Sequence, residues 1–441
     1  MINKTIDHLS RFFLLTIFLL FFSPIKSEAQ QSVEQSLVKH IDQHKDSAMA
    51  LLEQVVNINS GTLNFEGVKK IGDIFRKKFT ALGFETRWVD GTPFQRSGHL
   101  VAEHAGKGPR LLLIGHLDTV FEKDSPFQRF QVIDDSTASG PGIGDMKGGD
   151  VIIVQALVAL HEVGVLKNMN ITVVMTGDEE RSGRPLDLAR KDLIEAAKAA
   201  DIAIGFENGD GDPTTAIVTR RGSTGWTLRV KGKPAHSSQI FREDVGAGAI
   251  YEAARILNAF YEKLAGEQYL TFNPGLILGG TDVDYEASQD RGSAFGKNNV
   301  VAGQVVVSGD LRTISPAQLE RAKATMQAIV SRHRPQTSAE LKFRDSYPPL
   351  APTAGNRRLL KIFDQVSRDL GFGPVTEVDP MRAGAADVSF TAGHVEMAID
   401  GLGLGGADDH TVNETGNLRT LPLQAKRAAV LLYRLSKIKK E

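Results

Sequence analysis

The run Leu111-Leu112-Leu113-Ile114-Gly115-His116-Leu117-Asp118 decides how this 441-residue chain is read. Four apolar residues in a row, closed by a glycine, suit a strand covered on both faces, and such strands build parallel sheets packed between helices. Similar runs lie at 171–175, 202–206 and 397–402. Residues 149–163 carry a helical pattern between the first two, and upstream apolar residues recur three and four apart through 33–57 and 68–82. Strands alternating with helices predict an α/β domain with a mostly parallel central sheet.

The chemistry sits at the carboxyl end of each run. The first run ends at His116 and Asp118, the second at Thr176-Gly177-Asp178-Glu179-Glu180, and the third at Glu207-Asn208-Gly209-Asp210. The last leads through a glycine-rich loop to Asp408-Asp409-His410. Open α/β sheets bind ligands outside the carboxyl ends of their strands, so these groups are expected along one edge. A glycine-rich segment, Gly140-Pro141-Gly142-Ile143-Gly144-Asp145-Met146-Lys147-Gly148-Gly149, places Asp145 in a turn just ahead of the predicted helix. Taken singly, each feature has an ordinary explanation, such as a hydrogen-bonded loop histidine or a solvated pair of glutamates. Their joint placement points to one site. The chain has no cysteine, so a thiol nucleophile, a cysteine zinc site and an iron–sulfur cluster are excluded, and any metal is held by His, Asp and Glu.

From about residue 220 the pattern changes. Residues 224–230 alternate like a half-exposed strand, 245–264 read as a helix, and 269–278 and 299–311 as two strands. A helix over 316–333 starts at Ser315-Pro316, and 339–343 give a last strand. That order is ferredoxin-like, and it interrupts the first domain, whose alternation resumes near 356. Hydrophobic content of 41%, charged content of 24% and a net charge of -1 are ordinary for a soluble protein and give no basic footprint for nucleic acid. At the amino terminus Lys4 and Arg11 precede an apolar stretch over 12–22 and a small-residue site, Ser27-Glu28-Ala29. This reads as a secretory signal peptide over 1–29, too short for a membrane span of about 20 residues. The expected mature protein is exported, periplasmic or secreted, and free of the membrane.

With these residues in order, the chain resembles the M20 metallopeptidases, and among them the glutamate carboxypeptidase branch. The resemblance rests on His116-x-Asp118, the glycine run around Asp145, Glu179-Glu180, Glu207 and His410, and it covers nearly the whole mature chain. It implies a catalytic domain in two parts, 30–219 and 348–441, with a lid and dimerisation domain over 220–347 between them. It also implies two zinc ions, or cobalt or manganese, bridged by Asp145. One ion would bind His116 and Glu207, the other Glu180 and His410. Three carboxylates against two dications leave one positive charge, which a bridging hydroxide would neutralise. Asp118 would orient His116, and Glu179 would take the proton from the zinc-bound water and pass it to the leaving amine.

On the lid, Gly232-Lys233-Pro234-Ala235-His236-Ser237 resembles the segment whose histidine reaches the active site, often that of the partner subunit; His236 would stabilise the oxyanion. Arg312, Asn299 and the backbone of Gly403–Gly406, Gly405 included, are expected around the substrate carboxylate, and Arg221 either meets an acidic side chain of the substrate or, beside Arg220, is plain surface. Two departures stand out: Ala302 replaces the usual proline after the Asn-Val-Val segment, and Arg181-Ser182-Gly183 replaces the commoner order after the glutamate pair. The expectation is an exported carboxypeptidase that releases a C-terminal amino acid, with glutamate as the first candidate, from a small peptide or N-acyl substrate, working as a homodimer through the lid. An aminoacylase or dipeptidase of the same fold is the near alternative. A non-catalytic metal-retaining binding protein is the distant one, and a two-metal phosphatase is weaker still.

Overall fold

The structure is a computed structural model and describes residues 28–287 and 289–438. Its chain opens with helices α1 (Glu28–Gln43) and α2 (Lys45–Val56), followed by α3 (Phe65–Ala81). The helical pattern over 33–57 is thus two helices, broken at His44, whose φ of -116° and ψ of 16° are not helical. The expected signal segment lies outside the described residues except for 28 and 29. Strands β1 (Glu85–Asp90), β2 (Gly98–His104) and β3 (Lys107–His116) come next, then helix α4 (Gly148–Glu162), β4 (Met169–Thr176), helix α5 (Lys191–Ala199) and β5 (Ile202–Gly205).

The lid is built from β6 (Gly222–Gly232), α6 (Gly248–Leu264), β7 (Thr271–Gly280), β8 (Gln304–Thr313), α7 (Pro316–Val330) and β9 (Thr337–Asp345). Its antiparallel sheet runs β7-β8-β6-β9, the ferredoxin-like order. Trp226, Leu228 and Val230 alternate inward from β6 onto Ile256 and Phe260 of α6 and Met326 of α7, and together they form the lid's core. Ser315 caps α7 by accepting the Gln318 N–H, with Pro316 in the first turn. A two-stranded ribbon, Asp282–Glu286 with Arg291–Phe295, was not anticipated. The chain then returns through α8 (Ala354–Asp369), β10 (Met397–Ile399) and α9 (Thr420–Leu435).

The main sheet has the order β1-β2-β4-β3-β5-β10. β3 runs parallel to β4 from Leu111↔Ile171 to His116↔Thr176, and parallel to β5 from Leu111↔Ile202 to Ile114↔Gly205. β10 adds in parallel through Met397↔Ile202. Leu111 to Ile114 are 0–3% exposed because helices cover both faces. β1 and β2 pair antiparallel at one edge, so the sheet is mixed though mostly parallel. α4 is buried almost all round, as an apolar helix must be when covered on every side. In consequence the carboxyl ends of β3, β4, β5 and β10 open onto one edge, facing the start of α4.

Candidate metal centre

His116 ends β3, Glu179 and Glu180 follow β4, Glu207 follows β5, and His410 lies in the loop after β10. Asp145 comes in from the turn ahead of α4. His116 Nε2 stands 3.0 Å from Asp145 Oδ1 and 3.5 Å from Glu207 Oε1. His410 Nε2 stands 2.9 Å from Asp145 Oδ2 and 3.2 Å from Glu180 Oε2. Asp145 therefore divides its two oxygens between two triads, His116–Asp145–Glu207 and Asp145–Glu180–His410, the ligand atoms of each within 4.8 Å of one another.

This arrangement fits two divalent cations sharing one carboxylate. The donors are imidazole nitrogen and carboxylate oxygen, which suit zinc and also cobalt or manganese. Glu180 Oε1 is buried and accepts no hydrogen bond, a costly condition that a cation relieves. Without cations the cluster balances its charge with protons. Burial works against a charged His116, yet the Glu207 charge and the hydrogen bonds to Asp118 and Asp145 lift its pKa well above the imidazole range. Hydrogen bonds to Asp145 and Glu180 push His410 up to about 11. Burial favours a neutral Asp145, but hydrogen bonds with both imidazoles outweigh it and hold the carboxyl below the usual range. Glu180 is pushed up to about 7, by burial first and then by the Asp145 charge. Burial, and then crowding by neighbouring carboxylates, drives Glu179 and Glu207 well above the carboxylate range against the pull of His116.

Each candidate ligand is held from behind. Asp118, fully buried, accepts the Glu179 N–H at 3.0 Å through Oδ1, and the Glu180 N–H at 3.2 Å and the Thr62 hydroxyl at 2.6 Å through Oδ2. The His116 Nδ1–H points to the Asp118 carbonyl at 3.1 Å, with the carboxylate farther off at 3.5 Å. Asp118 thus faces His116 with both its carbonyl and its carboxylate, and the carboxylate also holds the glutamate pair. Gly142, at φ 72°, turns the chain into the Asp145 segment, and a Cβ there would lie 2.4 Å from Thr119 Cγ2. Glu207 is fixed through its N–H, which donates to Asp400 Oδ1 at 3.2 Å. Asp400 in turn pairs at 2.7 Å with Arg220, which is buried. Asp408 and His410 both adopt φ 61°, a left-handed strain of the kind found at functional loops.

The expected substrate residues have partners of their own. His236 is exposed on the lid, its Nδ1 hydrogen-bonded to Ser238 Oγ at 2.8 Å. It lies beside Asn299, whose carbonyl accepts the Ser237 N–H at 2.9 Å. Arg221 donates to Thr271 Oγ1, and its Nε is buried without a partner. Its pKa is lowered by burial and then by the nearby charge of Arg312, which pairs with Asp310 at 2.7 Å. Gly405 departs from expectation: its N–H donates to Thr420 Oγ1 at 3.0 Å, while Gly403 and Gly406 donate to Glu207 O and Gly211 O. That loop spends these donors on holding itself together and does not offer them to a carboxylate. Sequence reasoning missed Glu414, which accepts the N–H groups of Gly142 and Gly144 at 2.9 Å and of Asp145 at 3.2 Å. A carboxylate four residues past His410 was its only signal.

The family model for peptidase family M20/M25/M40 matches residues 112–434. The chain belongs to that family. Among relatives of this M20 hydrolase, carboxypeptidase G2 of Pseudomonas sp. (strain RS-16) is 25% identical over 419 residues, covering 92% of this chain and 93% of the relative. Among solved structures, a tripeptidase from Staphylococcus aureus subsp. aureus mu50 superposes with a TM-score of 0.67 at 21% identity, covering 89% of this chain and 99% of that one. A dinuclear metal binding peptidase of the M20 family from Bacillus subtilis gives a TM-score of 0.61 at 14% identity, covering 90% of this chain and all of that one, 100%. The M20 peptidase fold, with its mostly parallel sheet and inserted lid, is thus established.

Proposed function

We propose that this M20 hydrolase is a two-zinc carboxypeptidase that cleaves the amide bond joining a C-terminal amino acid, glutamate first among candidates, to a peptide or small N-acyl group. The observation that carries it is the shared Asp145, with one oxygen in each triad and Glu179 next in the chain to the ligand Glu180. Two ions held by His116, Asp145, Glu207, Glu180 and His410 would supply the charge that polarises the scissile carbonyl and lowers the pKa of the attacking water. With two cations beside it the Glu179 carboxyl would be held ionised, against the preference for a proton that burial gives it in their absence. It takes the proton from water and delivers it to the departing nitrogen. Arg221 and Arg312, close enough to affect one another, are suited to the acidic groups of the leaving residue. The relative carboxypeptidase G2 supports the carboxypeptidase branch over an aminoacylase or dipeptidase.

The lid sheet ends in β7, an open edge carrying exposed Ile277, and exposed Ile250, Tyr251 and Phe241 lie on the same lid. An unpaired edge with apolar neighbours suits pairing with a second copy, so we assign the homodimer to this face. His236 would then serve the partner's site. Export rests on the segment over 1–29; among the described residues no helix is long and apolar enough to cross a membrane. The test is zinc-restored hydrolysis of N-acyl amino acids and dipeptides by wild type and Glu179→Gln. Release favouring C-terminal glutamate is expected, with kcat lower by about 10²-fold or more in the variant at equal metal content. Equal rates would remove Glu179 from the mechanism, and a folded, zinc-loaded protein that cuts no member of the panel would favour a binding module.

A further inference from the structure

Behind the Glu179-Glu180 loop lies a buried cluster that the metal centre does not use. Arg190 has no exposed surface, and its guanidinium donates from every nitrogen. Nε reaches Asp387 Oδ1 at 2.8 Å and Nη1 reaches Asp178 Oδ1 at 2.5 Å. Nη2 reaches the Asp178 carbonyl at 3.1 Å, Ser182 Oγ at 3.2 Å and Tyr347 Oη at 2.9 Å. The Tyr347 hydroxyl donates its own proton to the carbonyl of Glu179 at 2.8 Å. Asp178 Oδ2 also accepts the Gly183 N–H at 2.6 Å, closing the far side of the loop.

Both peptide groups of Glu179 are therefore pinned. Its N–H is held by Asp118 at 3.0 Å and its C=O by Tyr347 at 2.8 Å. With both ends fixed, the direction in which the Glu179 side chain leaves the backbone is fixed too. Tyr347 lies two residues past β9, in the segment that leads from the lid back to the main sheet. There it pairs with the outgoing segment, accepting the Ser223 N–H at 2.8 Å, while Leu350 and Arg220 exchange hydrogen bonds nearby. Its ring packs 5.2 Å from Phe390 and 5.7 Å from the Arg190 guanidinium, which itself lies 5.5 Å from Phe390, so the hydroxyl is aimed by this three-way packing.

We infer that Tyr347, oriented by Arg190, is a positioning residue for Glu179, and that it ties the general base to the crossover between lid and catalytic domain. A displacement of the lid about that crossover is transmitted to the carbonyl of Glu179 through one hydrogen bond. This rests on the reading of Glu179 as general base. Removing the hydroxyl leaves the ring and its packing in place, so Tyr347→Phe perturbs the contact with little effect on the fold.

The experiment compares wild type, Tyr347→Phe, Glu179→Gln and the double variant as zinc-loaded full-length proteins on the best substrate of the panel. Tyr347→Phe is expected to lower kcat about tenfold with KM within about twofold, since small misplacements of a reacting group cost rate more than binding. In the Glu179→Gln background the same change is expected to cost less than about twofold, because the group it positions is already gone. Unchanged kcat, or an equal loss in both backgrounds, overturns the inference. Amide hydrogen exchange supplies a readout independent of activity: peptides spanning 177–184 are expected to exchange about tenfold faster in Tyr347→Phe, other regions staying as in wild type. Unchanged exchange there overturns the positioning role. If exchange rises while Glu179→Gln keeps wild-type activity, the positioning stands and the reading of Glu179 as base falls.

Discussion

Asp145 can bridge two cations only if its backbone is held still, and the holding is done by Glu414, a residue with no surface exposure. Its carboxyl oxygens gather three N–H groups of the turn, from Gly142, Gly144 and Asp145. Glu414→Ala would leave all three buried and unpaired, at about 1–3 kcal/mol for each group that water cannot reach. The expected result is a stability loss of about 3 kcal/mol or more, with metal affinity down about 10–100-fold, as for other residues that orient ligands. Titrating zinc into metal-free protein, wild type against variant, reads the second effect directly; equal affinities would mean the turn holds Asp145 without Glu414. At this scale the convergence of the candidate ligands was legible, because His and carboxylates right after buried strands have little other reason to meet. Glu414, Arg190, Tyr347 and Asp400 were not, because they act on backbone groups through contacts between segments remote in sequence. Gly405 was misplaced for a related reason: a glycine-rich loop shows that its backbone can turn, but not whether its N–H groups are already spent.

Helix α4 opens on two glycines because its neighbours leave no space for side chains: a Cβ at Gly148 would lie 2.5 Å from Leu404 Cβ. A Cβ at Gly149 would lie 1.9 Å from the carbonyl oxygen of Phe206, the residue just before Glu207. Gly149→Ala must push α4 away from the Glu207 segment. On helix propensity alone the change would stabilise by about 1 kcal/mol. Overpacking opposes this and is expected to win, giving a net loss of about 1–3 kcal/mol. Urea unfolding checks the sign: a midpoint equal to or above wild type would show that helix and strand are not in such close contact. The same burial explains which elements could be read ahead of the structure. β3, β4 and β5 carry their apolar runs, 111–114, 173–175 and 202–204, where both of their faces are covered. β1 sits at the sheet edge with an exposed or half-buried side chain at every position, so it left no run to find. Every residue of Arg291–Phe295 in the lid ribbon is exposed, and a strand without a buried face has no period to read. The break at His44 was invisible because apolar spacing continues across it while the backbone does not.

For the whole molecule the point to explain is why His236 stands exposed, its ring bonded among the described residues to Ser238 of its own loop, when the M20 resemblance assigns it to the oxyanion. A second copy seated on the β7 edge and the Phe241, Ile250, Tyr251 and Ile277 face would carry each His236 toward the other subunit. His236→Ala alone is expected to lower kcat about 10²–10³-fold, the usual loss for an oxyanion donor, with metal content intact. That loss does not say which subunit the histidine serves, but mixed dimers do. Co-expressing His236→Ala and Glu179→Gln chains under different tags, and purifying only the dimers that carry both, gives two unlike sites. If His236 acts across the interface, the site that keeps Glu179 receives an intact histidine from its partner, and the other site lacks both. Two-fold symmetry then predicts about half of the wild-type rate per dimer. If His236 serves its own subunit, each site lacks one essential group and the mixed dimer is no faster than its parents. A chain that stays monomeric at assay concentrations would remove the second copy from the lid face and with it the role assigned to His236.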